Sequence, residues 1–305
     1  MLTDEALIAA RDPDGFRPLS LGRLGTSYVI ASETCALDLI GATYERDLEP
    51  GEVVVVRRGR LRSLRPFGRE QREHFCIFEH IYFARPDSNL LRTNVYSFRK
   101  ELGRALAREH PANVDMVVPG LDSGAAAALG YAEQSGIPYE TALIRNHFVQ
   151  RTFIEPTQSI RDFRVRVKHN AVRGFIEGKR VVLVDDSIVR GTTLRKIVQL
   201  VRESGASEVH LRVSSPPTIG PCYYGIDTPT REELIAHQHS PREITELLGA
   251  DSLEYLSLEA LRALSTSQIK HGICDACFSD DYPVPVDGEA GAPQLSLFHT
   301  VEDGE

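Results

Sequence analysis

The chain has 305 residues, 42% of them hydrophobic, and a formal net charge of −8 at pH 7. It is long enough to bury one large or two modest cores. Its acidic balance argues against general affinity for nucleic acid or anionic membrane, since both need clustered Lys and Arg. No apolar run could span a bilayer and no cleavable leader pattern opens the sequence, so a cytoplasmic location is expected.

Residues 1–65 read as β-rich. Gly, Pro and Asp separate the candidate strands Leu7–Ala10, Arg17–Leu21, Tyr28–Ser32, Val53–Arg57 and Arg60–Leu64, with a short helix near 36–40. Hairpins and a meander are expected, too few strands for a complete sandwich. From about residue 90 the rhythm becomes an alternation of strand and helix. Val95, Phe98, Leu102 and Leu106 share a helix face, Val114–Val118 is a strand, and Gly124–Gln134 is an Ala-rich helix closed by Gly136. Ile137–Ile144 and Val181–Val184 are further strands. Leu194, Ile197, Val198 and Val201 form a helical stripe ending at Gly205, and Val209, Leu211 and Val213 alternate as a strand. This order predicts an α/β fold, a mostly parallel sheet with helices on both faces. The remainder is expected to be helical to about 264. Thr230-x-x-Glu233 forms a capping box, and Ser240-Pro241 starts another helix. Residues 283–305 read as a mobile tail.

The most informative stretch is Val181-Val182-Leu183-Val184-Asp185-Asp186-Ser187-Ile188-Val189-Arg190-Gly191-Thr192-Thr193. Four apolar residues form a strand buried on both faces. Two carboxylates then stand at its C-terminal end, where open α/β sheets bind ligands. The following loop offers backbone N–H groups and hydroxyls to a phosphate, and the next helix adds its N-terminal dipole. The carboxylates suit ribose hydroxyls or water on a magnesium ion. The plain alternative is an ordinary strand–helix turn with a solvated acidic pair. A second loop, Pro119-Gly120-Leu121-Asp122-Ser123-Gly124, also joins a strand to a helix, and its small residues would let an anion approach the backbone. Five Arg or Lys residues fall within 161–173, among them Arg164, Arg166 and Lys168. They suit either a solvated loop or a lid that excludes water from the reaction.

Five cysteines include Cys274-x-x-Cys277. With Cys76 and Cys222 these could hold zinc or an iron–sulfur cluster, or simply pack as small hydrophobes. Cys35 reads as a core residue.

The Asp-Asp…Gly-Thr-Thr pattern resembles the phosphoribosyl-pyrophosphate (PRPP) signature of type I phosphoribosyltransferases. The likeness goes further in Ala9-Ala10-Arg11-Asp12-Pro13, Ala31-Ser32-Glu33-Thr34, Phe78–Ser88, Arg151-Thr152-Phe153-Ile154, Tyr224-Gly225-Ile226-Asp227 and Glu233-Leu234-Ile235-Ala236. Over roughly residues 5–283 the chain resembles the amidophosphoribosyltransferase family. That resemblance implies a type I phosphoribosyltransferase domain at 66–282, preceded at 1–65 by the C-terminal remnant of an N-terminal-nucleophile glutaminase domain. It implies transfer of ammonia to PRPP, giving 5-phosphoribosylamine and pyrophosphate, the first step of purine nucleotide synthesis. Asp185 and Asp186 would bind ribose hydroxyls and magnesium, and Ser187, Arg190, Gly191, Thr192 and Thr193 the 5-phosphate. Asp122, Ser123 and Lys168 would serve the magnesium–pyrophosphate side. A 4Fe–4S cluster on Cys76, Cys222, Cys274 and Cys277, feedback by purine nucleotides and a homo-oligomer are implied as well. The family's N-terminal cysteine nucleophile has no counterpart, because Met1 precedes Leu2 and Thr3 and no cysteine occurs before Cys35. Most of the glutaminase region is therefore expected to lie outside this sequence, and Gln150 replaces a family glycine. A non-catalytic, PRPP-binding regulatory or inactive fragment of the same family is the alternative expectation.

Overall fold

The computed structural model describes residues 1–67, 73–120, 122–145, 169–269 and 271–286. The first part of the chain folds as two small antiparallel sheets. One has the order β1 (Ala6–Ala10), β5 (Val53–Arg57), β6 (Arg60–Leu64). The other places β2 (Ser20–Leu24) between β3 (Ser27–Ala31) and β4 (Thr43–Asp47). Helix α1 (Thr34–Leu39) sits close to the predicted place. The strand expected at Arg17–Leu21 begins instead at Ser20, beyond Pro18, which has no N–H to give a ladder. The sequence reading missed β4, because Thr43-Tyr44-Glu45-Arg46-Asp47 is polar throughout and carries no apolar alternation.

The transferase-like part begins with β7 (Phe75–Cys76), a turn of π-helix at Glu79–Phe83, and a two-strand hairpin of β8 (Asn89–Leu90) and β9 (Thr93–Asn94). Helix α2 (Val95–Glu109) then buries Val95, Phe98, Leu102 and Leu106 completely. Asn94 caps it, accepting a hydrogen bond from the Ser97 N–H at 3.0 Å. The central sheet is parallel, with order β10 (Met116–Pro119), β13 (Arg180–Asp185), β14 (Glu208–Val213), β15 (Ser252–Tyr255). Between these strands come α3 (Ala125–Ser135), a short antiparallel pair of β11 (Leu143–Arg145) and β12 (His169–Ala171), and α4 (Arg173–Ile176). Helix α5 (Thr192–Glu203) follows β13. Short α6 (Ile235–Gln238) and α7 (Pro241–Leu248) lead into β15, and α8 (Leu258–Gln268) into β16 (Ile273–Cys274) and α9 (Ala276–Ser279).

The α/β architecture expected from the sequence is present, with two local differences. Ile137–Ile144 is not a full sheet strand. It touches the sheet through one parallel bridge, Val117 to Tyr139, before its end pairs with β12. Pro138 again lacks the N–H that a longer ladder would use. The segment read as wholly helical to 264 contains β15. Its four residues, with Leu253 and Tyr255 buried, are too short to stand out between two helical patterns. The 283–305 tail call falls almost wholly outside the described residues.

β13 lies between two neighbours and its side chains alternate between two cores. Val182 and Val184 join Val117 and the α2, α3 and α8 side, while Val181 and Leu183 meet Ile197, Val198 and Leu248. Val181 through Val184 are each fully buried, worth about 1.5–3 kcal/mol per side chain. Helices α2 and α3 approach backbone to backbone: a Cβ on Gly103 would lie 1.9 Å from the Ala127 carbonyl oxygen, and one on Gly130 2.0 Å from that of Lys100.

The N-terminal sheets are bound to this frame by polar contacts. Glu33 accepts from the Arg85 N–H and the Ser88 hydroxyl, each at 2.8 Å, and Thr34 accepts from the Asn89 N–H at 2.8 Å. Arg17 pairs with buried Glu79 at 2.9 Å. Within the N-terminal part, buried Glu52 takes both arms of Arg46 at 2.7 Å and the Ser63 hydroxyl at 2.6 Å. Burial would push its carboxyl up, but these hydrogen bonds and the Glu49 N–H win and hold it at about 2. The folded value lies below the ordinary 4.5, so this stabilisation is present above that pH and lost as pH falls toward 2. Glu52→Gln should lower urea stability by about 1–3 kcal/mol at neutral pH, and the difference from the unsubstituted chain should close as pH falls from 5 to about 2. A difference that stays constant across that range would refute the assignment.

Candidate active site

The carboxyl end of β13 is where the chain concentrates its chemistry. Asp185 ends the strand and Asp186 follows it, 9% and 4% exposed. The Gly120 N–H donates to the Val184 carbonyl at 2.8 Å and the Ser214 N–H to the Asp185 carbonyl at 2.9 Å, which fixes the strand end from both sides. Glycine is required next to it. A Cβ on Gly120 would meet Asp185 Cγ at 2.9 Å, and one on Gly124 would meet the Val184 carbonyl oxygen at 2.6 Å. The second loop of the sequence reading therefore packs directly against the first.

Asp186 accepts from the Ser187 hydroxyl at 2.7 Å and is also hydrogen-bonded by Ser123. Asp185 accepts from the Asp186 N–H at 3.1 Å. Burial and mutual repulsion push the carboxyls of this pair up, so they are poised to share protons or a cation. One opposing charge comes from Arg99 on α2, itself 3% exposed. Its guanidinium donates to the His80 carbonyl at 2.8 Å and the Ala84 carbonyl at 2.7 Å, gripping both ends of the π-turn. No motif singled it out; the signal was an Arg among the apolar positions of a helix.

The loop Ser187–Gly191 turns into α5 through Gly191, whose φ of 72° is the left-handed conformation that favours glycine. The first-turn N–H groups of α5 have no partner within the helix, as at any helix start, so an anion placed there would meet free donors and a favourable dipole. A cavity of about 450 Å³ collects Ser123, Asp185, Asp186 and the whole run Ser187–Thr193 along its wall. Asp122 does not line it, and instead pairs with Arg145 at 2.6 Å on the exposed side. Lys168, Gln150, the 151–154 segment and most of the basic 161–173 stretch lie outside the described residues. Residues not anticipated as site residues complete the wall, among them Phe78, Tyr82, Phe83 and Thr218. The Thr218 hydroxyl is buried without a partner among the described residues, a state that costs energy unless a ligand satisfies it.

Cys76, Cys222, Cys274 and Cys277 line the same cavity. Cys76 and Cys274 face each other in the parallel pairing of β7 with β16. Burial pushes the Cys76 thiol up to about 12 and the Cys274 thiol to about 11, and the neighbouring cysteines add to this. Cys277 is pushed up by burial and then by Cys76, Cys274 and Cys222. The four are thus mutual neighbours, while Cys35 stands apart beside Glu33. Among the described residues no group of three or more His, Cys, Asp or Glu is arranged to hold a metal ion, and no helix is long and apolar enough to cross a membrane.

A family model described as phosphoribosyl transferase domain matches residues 98–216. Among curated relatives, an amidophosphoribosyltransferase of Archaeoglobus fulgidus is 52% identical over 95% of this chain and 63% of its own length. One of Bacillus subtilis is 50% identical over 97% of this chain and 62% of its own. The protein named amidophosphoribosyltransferase 1, chloroplastic, of Arabidopsis thaliana is 54% identical over 93% of this chain and 50% of its own. Among solved structures, the glutamine PRPP amidotransferase from B. subtilis complexed with ADP and GMP superposes with a TM-score of 0.87 at 50% identity, covering 96% of this chain and 65% of that one. The chain spans less than two thirds of the length of these relatives.

The glycine packing gives a direct test of how the carboxylates are held. Gly124→Ala should cost about 1–3 kcal/mol in urea denaturation, because the new methyl group meets fixed backbone. Gly174→Ala, in α4 with open space around it, should be neutral or slightly stabilising. Equal effects at the two sites would contradict the packing described.

Proposed function

We propose that this chain, which belongs to the amidophosphoribosyltransferase family, transfers the phosphoribosyl group of PRPP to ammonia. The observation that carries the reading is the single cavity in which Asp185, Asp186 and Ser123 meet the N-terminus of α5. The products are 5-phosphoribosylamine and pyrophosphate, the entry into purine nucleotide synthesis. The anomeric C–O bond to pyrophosphate breaks, a C–N bond to ammonia forms, and the nitrogen releases a proton. Asp185 and Asp186 accept the ribose hydroxyls and lie beside the sugar as positive charge develops on it. The loop Ser187–Thr193 cradles the 5-phosphate on backbone N–H groups and hydroxyls. Ser123 faces the pyrophosphate side, and the sequence pattern would add Lys168 there.

Magnesium fits Asp185 and Asp186, since it is commonly held by one or two carboxylates plus substrate phosphates rather than by an all-protein cage. When bound, it neutralises negative charge on the departing pyrophosphate. The donor set of four neighbouring thiols, two of them buried and two partly so, likewise fits a 4Fe–4S cluster on Cys76, Cys222, Cys274 and Cys277, which would tie the two ends of the transferase region together.

The same reading divides the chain into a glutaminase-derived part at 1–65, the transferase part at 66–282 and a tail. Glutamine is the nitrogen source named for the B. subtilis structure, and its ADP and GMP support purine nucleotides as regulators. A cytoplasmic homo-oligomer completes the proposal. The non-catalytic alternative has no observation of its own in its favour.

Anaerobically prepared protein should release pyrophosphate from PRPP and magnesium with ammonium as the only nitrogen source. Asp185→Asn combined with Asp186→Asn should reduce that rate by roughly a hundredfold or more; undiminished turnover would place the chemistry elsewhere. For the cysteines, iron and acid-labile sulfide in equal amounts are expected, both lost in Cys277→Ser, whereas stoichiometric zinc would remove the cluster.

A further inference from the structure

We propose that Glu233 is a built-in counter-charge that holds Arg190 at the rim of the phosphate loop and limits how tightly the loop takes a phosphate ester. The inference rests on reading the cavity as the PRPP site. Arg190 lines that cavity and at the same time donates from Nε and Nη2 to the two oxygens of Glu233, each at 3.2 Å. Both side chains are about half exposed, so the pair is free to exchange partners with solutes.

Glu233 does not owe its place to Arg190. It is the last member of the capping box at Thr230 and accepts from the Thr230 N–H at 3.3 Å. The segment bearing it is fastened to the phosphate loop. The Ile235 N–H donates to the Val189 carbonyl at 3.0 Å, and Ile235 Cδ1 lies 3.0 Å from where a Gly191 Cβ would stand. Carboxylate and loop are therefore fixed relative to one another. Arg231, the nearest cation in sequence, is taken by Asp280 at 2.8 Å, which leaves Glu233 dependent on Arg190 for charge balance.

A phosphate ester carries more charge than a carboxylate and presents oxygens to the same planar guanidinium fork. On binding it takes over Arg190. Glu233 stays near its backbone partner, and the ion pair it loses is subtracted from what the phosphate gains. The pair trades affinity for ready release.

The test is equilibrium binding of PRPP with magnesium to the whole chain, comparing the natural sequence with Glu233→Gln, Arg190→Gln and the double variant. Gln at 233 keeps an acceptor for the Thr230 N–H, and an unchanged melting temperature checks that the cap survives. Glu233→Gln should bind PRPP roughly two- to fivefold more tightly, as expected for relief of one exposed ion pair. The gain should shrink at high salt and vanish when Arg190 is also replaced. Unchanged or weaker binding by folded Glu233→Gln overturns the proposal, as does a gain that persists without Arg190. Failure of the natural chain to bind PRPP at all would instead overturn the reading of the site, and this inference with it.

Discussion

Two like charges held side by side out of water are the constraint around which the α/β part is organised. Asp185 and Asp186 stand at the end of a strand whose preceding four residues are fully buried, so neither carboxylate can swing into solvent. Each surrounding feature answers that cost. Glycines at 120 and 124 let the second loop come close enough for Ser123 to reach Asp186. Arg99 supplies a buried positive charge although no carboxylate pairs with it directly, its guanidinium being spent on two carbonyls. A bound divalent cation would satisfy the remainder, which is why a pair so placed reads as a ligand site rather than as a stabilising element.

The N-terminal sheets are not an independent appendage to this arrangement. Glu33 reaches into the turn after the π-helix, and Arg17 meets Glu79 within it while its guanidinium stacks 4.7 Å from the Phe83 ring centroid. That turn carries Tyr82 and Phe83 into the cavity wall, and Arg99 holds its two ends. A displacement of the small sheets would thus be felt at the cavity through these charged contacts, and also through Phe16, which stacks on Tyr224 with ring centroids 4.1 Å apart. The charged contacts are directional, and a packed apolar interface alone would transmit less orientation.

Much of this was legible in the sequence, for definite reasons. Val181–Val184 announces itself because a strand buried on both faces needs no alternation, and the acids and small residues after it break the apolar run abruptly. The stripe Leu194, Ile197, Val198, Val201 is equally plain, since each of these residues faces one core. β4 and β15 escaped because edge and short strands carry too few apolar residues to declare a period. The bond between Arg190 and Glu233 was hidden for another reason. The capping box at Thr230 was visible, but nothing local says that its carboxylate would also face a loop forty residues earlier. Asp122 shows the opposite error: a residue in the right loop whose side chain turns outward to Arg145.

Among the described residues, one of the two shortest sheets has the longest reach. β7 pairs with β16 over two residues each, joining Phe75 and Cys76 to Ile273 and Cys274. During synthesis the first partner leaves the ribosome long before the second exists, and nearly all of the central sheet is made in the interval. The part of the cavity wall that carries the cysteines is thus the last to close, after the part built from Asp185–Thr193 has had its full sequence available. Contacts so distant along the chain form slowly, and until they form the apolar wall they cover is open to other chains. Birth order alone makes one part of this cavity wall older than another.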